Sequence, residues 1–268
     1  MKIQLGYDIS FAIGQAVPIV AILSVHPSRR GDLQYADRVV VEPSVPTEDY
    51  LDTFGNICTR FYAPPGTLRL TNATVIDDSG LPDALNFSAR EVPVEQLPPE
   101  TLRFLMASRF CEVDLLTAEA AYLFGNSPRG WERVQAVCDW VNAHVTFSYP
   151  HARPTRTALD VYKERIGVCR DFQHLAITFC RALNIPARYA TGYLGDIGVP
   201  LVPSPMDFSA WFEVYLDGRW WTFDARHNVP RIGRVLIATG LDATDVAITT
   251  SFGGATLLNF EVVTYELT

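Results

Sequence analysis

From the start of the chain to about residue 95, runs rich in Val, Ile, Thr and aromatic residues alternate with short clusters of turn formers: Pro27-Ser28, Pro46 to Asp49, Gly55-Asn56, Pro64-Pro65-Gly66 and Asp77-Asp78-Ser79-Gly80. β-Branched and aromatic side chains suit a pleated, half-buried surface, while Gly, Pro, Asn and Asp supply the backbone angles of turns. The pattern predicts strands at Ile3 to Ile13, Val17 to His26, Leu33 to Glu42, Thr53 to Tyr62, Thr67 to Asp77 and Phe87 to Val92. Short strands at this spacing make a β-sandwich the expected fold of residues 1–95.

Prolines crowd the stretch from Pro93 to Pro99, and beyond it the apolar period changes toward 3.6, so a domain boundary is expected there. Leu115 to Phe124 is rich in helix formers, and Trp131, Val134, Val137, Cys138, Val141 and Val145 make the i, i+3, i+4 stripe of an amphipathic helix. Thr157 to Tyr162 reads as a short helical turn. A further helix opens after Gly167, at Val168 or Cys169, and is ended by Asn184 and Pro186. Strands follow at Ala187 to Leu194, Ala210 to Leu216 and Trp220 to Phe223, the last two joined across Asp217-Gly218, a strong hairpin signal. Val235 to Thr239 and Leu257 to Thr268 are expected to complete the same sheet. The fold class is α+β: a β-sandwich over 1–95, then a core over 96–268 in which helices pack on an antiparallel sheet.

Composition narrows the function classes. With 48% hydrophobic and 19% charged residues the chain has ordinary globular content, and a formal net charge of -8 without a basic stripe argues against a nucleic-acid partner. The apolar run Ile9 to Val25 is interrupted by Ser10, Gln15 and Pro18, and reads as two buried strands rather than a leader; no other segment approaches the ~20 apolar residues of a membrane span. Cys58, Cys111, Cys138, Cys169 and Cys180 are odd in number and lack the paired spacings of a zinc site or a secreted disulfide framework. Reduced thiols in a cytoplasmic protein with no membrane contact are the expectation.

Cys169 carries the candidate chemistry. At the first turn of a helix a thiol meets unpaired backbone N–H groups and the positive end of the helix dipole, both of which favour thiolate. The competing account is that Cys169 is a small buried hydrophobe, as free cysteines often are. Asp207 and Ser209 alternate on one extended stretch and would share a side with Trp211 if the strand begins early, so a cleft lined by Asp207, Ser209, Trp211 and Asp171 beside Cys169 is conceivable as a polar binding pocket.

Gly167-Val168-Cys169-Arg170-Asp171-Phe172, the exit Leu183-Asn184-Ile185-Pro186-Ala187-Arg188, then Ala210-Trp211-Phe212-Glu213-Val214-Tyr215 and Phe223-Asp224, in that order, resemble the bacterial transglutaminase-like superfamily of cysteine proteases. The β-rich front half, with Asp52-Thr53-Phe54-Gly55-Asn56, is similar to the N-terminal domain that precedes this core in bacteria. The resemblance implies a papain-like site: a cysteine nucleophile at a helix N-terminus, then a histidine and an aspartate on neighbouring strands. Cys169 matches the nucleophile and Asp224 the carboxylate. The family's histidine should stand immediately before Ala210-Trp211, and here that position is Ser209. A serine cannot act as a general base near neutral pH.

Three histidines are candidates for the missing base. His227, three residues after Asp224, is placed to swing toward Cys169; His174 lies about 140° round the helix from Cys169 and is better read as a core residue; His151, in a proline-flanked loop, is better read as having no role. The expected function is cysteine-dependent acyl transfer on the amide bonds of a protein or peptide, as a peptidase, an amidase or a transglutaminase, with no metal and no organic cofactor. The alternative is a catalytically weakened relative that binds a peptide or acyl group in the same cleft.

Overall fold

The computed structural model describes residues 1–201 and 206–267. Its front portion contains β1 (Lys2–Ile13), β2 (Val17–Ala21), β3 (Val40–Glu42), β4 (Thr47–Leu51), β5 (Ile57–Ala63) and β6 (Gly66–Asp77). Along β1 every second residue is buried, Ile3, Leu5, Tyr7, Ile9, Phe11 and Ile13, as a strand with one face on a core requires; of the residues between them only Gly6, which has no side chain, is buried too. The expected strands at 3–13, 17–26 and 67–77 therefore stand, although the second ends at Ala21.

Three other expectations are corrected. Only Val40–Glu42 of 33–42 is a strand, because Asp37 is tied down by the Val25 N–H at 2.5 Å and by Asn72, which holds the preceding segment as a loop. The stretch 87–92 forms no strand: it opens with a turn at 87 and 88, where Asn86 accepts from the Ser88 N–H and hydroxyl. In place of 53–62 the strand is β5, and β4 pairs beside it as an edge strand whose five residues are all exposed, so it has no buried face to create a hydrophobic period.

The helical portion contains α1 (Pro99–Leu102), α2 (Val113–Phe124), α3 (Trp131–His144), the two-residue strand β7 (Thr146–Phe147), α4 (Ala158–Glu164), the two-residue strand β8 (Ile166–Gly167) and α5 (Cys169–Ala182). Four strands follow it in the core: β9 (Ala187–Leu194), β10 (Ser209–Leu216), β11 (Arg219–Phe223) and β12 (Arg234–Gly240). They form one antiparallel sheet in the order β11-β10-β9-β12. The β10–β11 hairpin turns at Asp217 and Gly218, whose φ values of 46° and 80° are the left-handed angles that a two-residue hairpin demands. α5 is the central helix, packed between that sheet and α2, α3 and α4, and it is buried from Asp171 to Arg181.

The last strands are β13 (Thr249–Ser251) and β14 (Ala255–Leu267). The expectation that 257–268 completes the core sheet is corrected here. β14 runs antiparallel to β1 from Lys2↔Leu267 to Ile13↔Ala255, and β13 pairs with β2, giving two four-stranded sheets, β14-β1-β6-β3 and β13-β2-β5-β4. Residues 249–267 thus join the front portion, so the expected extent of 96–268 for the core does not describe the sheet pairing. β1 takes β14 on one edge and β6 on the other. That leaves it no free edge.

Candidate active site

Two small elements deliver Cys169. β7 and β8 pair in parallel, with the Thr146 N–H donating to Arg165 O at 2.8 Å and the Ser148 N–H to Gly167 O at 2.9 Å, so the turn after β7 and the start of α5 leave side by side. Gly167 is required by space: a Cβ there would stand 2.6 Å from the Asp171 Cβ. Asp171, wholly buried, accepts from the Val168 N–H at 2.8 Å and takes Arg156 at 3.3 Å, so its carboxylate closes the N-terminus of α5. It is a capping residue, and the expectation that it lines the cleft is corrected.

Asp224 follows directly on β11, and the turn after it is fastened to α3. Asn142 donates to Ala225 O and Arg226 O at 3.2 and 2.7 Å, and Asn228 donates to Asp139 at 2.8 Å. Within the turn Asp224 Oδ1 accepts from the N–H groups of Arg226 and His227 at 3.0 and 3.1 Å, which folds the chain back on its own carboxylate. That fold sets His227 Nδ1 2.8 Å from Asp224 Oδ2. A buried carboxylate held anionic can only accept, so Nδ1 carries a proton, and in the neutral ring Nε2 is then the acceptor. Burial by itself would raise the Asp224 pKa, but hydrogen bonds from His227 and the charge of Arg234, 2.9 Å from Oδ2, hold it well below the usual carboxylate range.

Gln173 ties the two halves together. It sits four residues beyond Cys169 on the same face of α5, donates to Ala210 O and Asp224 Oδ1 at 3.2 and 3.0 Å, and accepts from the Ala225 N–H at 3.2 Å. Its mark in the sequence is the i+4 spacing from Cys169, which places both on one face of the helix.

Cys169 and His227 open into one cleft of about 550 Å3, together with Asp207, Ser209, Tyr149, Phe147, Arg226 and Arg231. Ser209 opens β10 at the place expected for the family histidine, 7% exposed and facing the same space. Trp211 is a core residue, 2% exposed, with the Arg234 guanidinium 5.2 Å from its ring, and it does not reach the cleft wall. Phe147 and Tyr149 were not singled out as cleft residues by the sequence, because β7 is too short to leave a periodic trace.

The thiol itself differs from the expectation. Burial pushes the Cys169 pKa up to about 11; the Arg226 charge and the Arg170 N–H pull it down, and Asp207 pushes it further up. Desolvation of the sulfur therefore outweighs the helix N-terminus, and the resting group is a thiol. His174 is buried between the rings of Phe110 and Tyr189, accepts from the Ala243 N–H at 3.2 Å and is pushed down to about 3 by burial, which fits a neutral core histidine. His151 sits on the surface against Ser148, 2.8 Å away. Among the described residues no group of three or more His, Cys, Asp and Glu side chains could hold a metal ion, and no helix is long and apolar enough to cross a membrane.

The sequence profile of the transglutaminase-like superfamily matches residues 118–225, a stretch that includes Cys169, Ser209 and Asp224 and stops short of His227. The crystal structure of a candidate cysteine protease from Cytophaga hutchinsonii is 32% identical, covering 100% of this chain and 91% of that one with a TM-score of 0.87. An uncharacterized protein of Mycobacterium leprae is 24% identical over 217 residues, 79% of this chain and 77% of its own length. Another, from Mycobacterium bovis, is 28% identical over 170 residues, 59% of this chain and 54% of its own.

Proposed function

This chain belongs to the transglutaminase-like superfamily, and from that premise we propose that it is a cysteine-dependent acyl-transfer enzyme acting on amide bonds of a protein or peptide, with Cys169 as nucleophile, His227 as base and Asp224 as the carboxylate that orients it. The observation that carries the reading is the 2.8 Å bond between His227 Nδ1 and Asp224 in a turn that opens into the cleft of Cys169. It supplies a histidine where Ser209 cannot.

Each step follows from that arrangement. As the Cys169 sulfur forms its bond to the carbonyl carbon, the thiol proton passes to His227 Nε2 and the carbonyl electron pair moves onto oxygen. The Cys169 N–H, in the first turn of α5 where no preceding helical carbonyl can take it, is a donor for that oxyanion. When the tetrahedral centre collapses, the C–N bond breaks and Nε2 returns the proton to the leaving amine, which leaves a thioester on Cys169. Water then completes hydrolysis, or a second amine completes transfer. Asp224 stabilises the imidazolium while it exists.

The test is intact-protein mass spectrometry after incubation with activated peptide esters and amides. An acyl adduct is expected on Cys169 in the parent chain and none in Cys169→Ala; His227→Ala should slow acylation by ~10² to ~10⁴, the usual cost of losing a general base. Equal acylation of the parent and His227→Ala would refute the assignment of the base.

A second reading is favoured by Ser209 and by the thiol held neutral at about 11: the cleft binds a peptide or acyl group without cleaving it. Ser209→His separates the two. A gain of amidase activity in that variant over an inactive parent supports the binding reading, and an active parent excludes it.

A further inference from the structure

Behind the Asp224–His227 pair lies a second ion pair that contributes nothing to the cleft wall. Arg234, at the start of β12 and 6% exposed, donates through Nη2 to Asp224 Oδ2 at 2.9 Å, the same oxygen that accepts from His227. Its Nε reaches both oxygens of Asp83, at 3.1 and 2.9 Å. Asp83 belongs to the connector that leaves the front sheets, and it is stitched to the segment before β12: its N–H donates to Arg231 O at 2.9 Å, its Oδ2 accepts from the Arg231 N–H at 2.9 Å, and its neighbour Pro82 bridges Ile232. Four groups therefore stand in a row from the connector to the cleft: Asp83, Arg234, Asp224 and His227.

We infer that Arg234 and Asp83 are positioning residues that set the basicity of His227 through the carboxylate Arg234 shares with it. The inference takes from the preceding reading only that His227 is the base. Asp224 is saturated, with Oδ1 accepting three N–H donors and Oδ2 accepting two. It cannot take up the imidazole proton, so its negative charge is divided between two cations when His227 is protonated. A guanidinium on the shared oxygen competes with the imidazolium and makes His227 the weaker base. Asp83 works in the opposite direction, because it carries part of the Arg234 charge. The two influences oppose each other on the ring that takes the thiol proton.

Other titratable or charged groups stand near His227 and remain in every variant tested. Cys169 lines the same cleft from α5, Tyr149 from the turn after β7, Asp207 from the segment before β10, and Asp196 and Arg231 from the cleft wall; Arg226 is on its own turn, and Asp139 of α3 lies beyond Asn228.

The experiment is an NMR titration of the His227 ring in the full chain, with its resonance assigned by loss in His227→Gln. Arg234→Met is expected to raise the midpoint by about one pH unit, tenfold in the ratio of the two forms, as removal of a neighbouring charge at partly buried range does. Arg234→Lys keeps the charge and is expected to return it toward the parent value. Asp83→Asn keeps the shape and is expected to lower it. A purely structural role would give shifts without this opposition of sign. An unchanged or lowered midpoint in folded Arg234→Met overturns the inference. Should that variant fail to fold, Asp83→Asn decides alone, and an unchanged or raised midpoint there overturns it. The titration needs no substrate, so loss of the acyl-transfer reading and loss of this one are separate results.

Discussion

Alkylation of Cys169 across pH tests the chemistry most directly. An exposed thiol with an ordinary pKa near 8.5 is about 3% thiolate at pH 7, whereas one at about 11 is about 0.01% thiolate, so alkylation of Cys169 by iodoacetamide should be about 300-fold slower than that of an unperturbed thiol. The sign follows from the cause: desolvation penalises the anion, so the group stays protonated until pH rises toward 11. The rate should climb about tenfold per pH unit from 7 to 10 with no plateau, as for any reaction carried by a thiolate well below its pKa. After burial the Arg226 charge acts most strongly on the thiol, in the opposite sense, and Arg226→Gln should slow the reaction further. The assay is timed alkylation, quenching and peptide mapping, which separates Cys169 from the four buried thiols, with Cys169→Ser as the control. A plateau between pH 6 and 8 would mean a resting thiolate–imidazolium pair, and the argument that burial outweighs the helix N-terminus would be wrong.

Asp224→Ala strands Arg234 with one carboxylate in a site 6% exposed, and should cost about 3–5 kcal/mol in denaturant unfolding, the usual penalty for breaking a buried pair; a loss under about 1 kcal/mol would contradict that role. Because the folded pKa of Asp224 is depressed, the stability it contributes is present above the unfolded value near 3.9 and is lost only as pH falls through the lower folded value, so the gap between parent and variant should persist into strongly acid solution. Gly167→Ala forces a Cβ to 2.6 Å from Asp171 and should destabilise by about 1–3 kcal/mol, read from the thermal midpoint. Removing residues 252–268 bares a whole edge of β1 and should yield protein that aggregates or fails to unfold cooperatively, and a sharp, parent-like calorimetric transition would contradict this.

α3 and β1 were legible because their large apolar side chains recur on one face. The stripe from Trp131 to Val145 and the Asp217-Gly218 turn fall where periodicity and backbone angles put them. β4 left no trace because its side chains are all exposed, and β14 was recognised as a strand but given the wrong partner, since alternation says that a face is buried and not which strand lies beside it. In the site, Cys169 and Asp224 were marked by their local motifs. His227 was marked by proximity alone, and what promotes it is the turn in which the Arg226 and His227 N–H groups bind Asp224. Gln173 shares a face of α5 with Cys169, but its bond to Asp224 spans 51 residues of chain, and spacing along one helix does not report it.

The pairing of β1 with β14 also orders events in time. β1 can meet β6 as soon as the first 77 residues have been made, but its other edge must wait until residues 255–267 have left the ribosome. For that interval a buried-face strand of twelve residues carries an open edge while α5 and the turn bearing His227 are being synthesised. Closure across so long a separation is slow by its loop entropy. Cys169 is thus present before the strand pair that joins the two ends of the chain has closed.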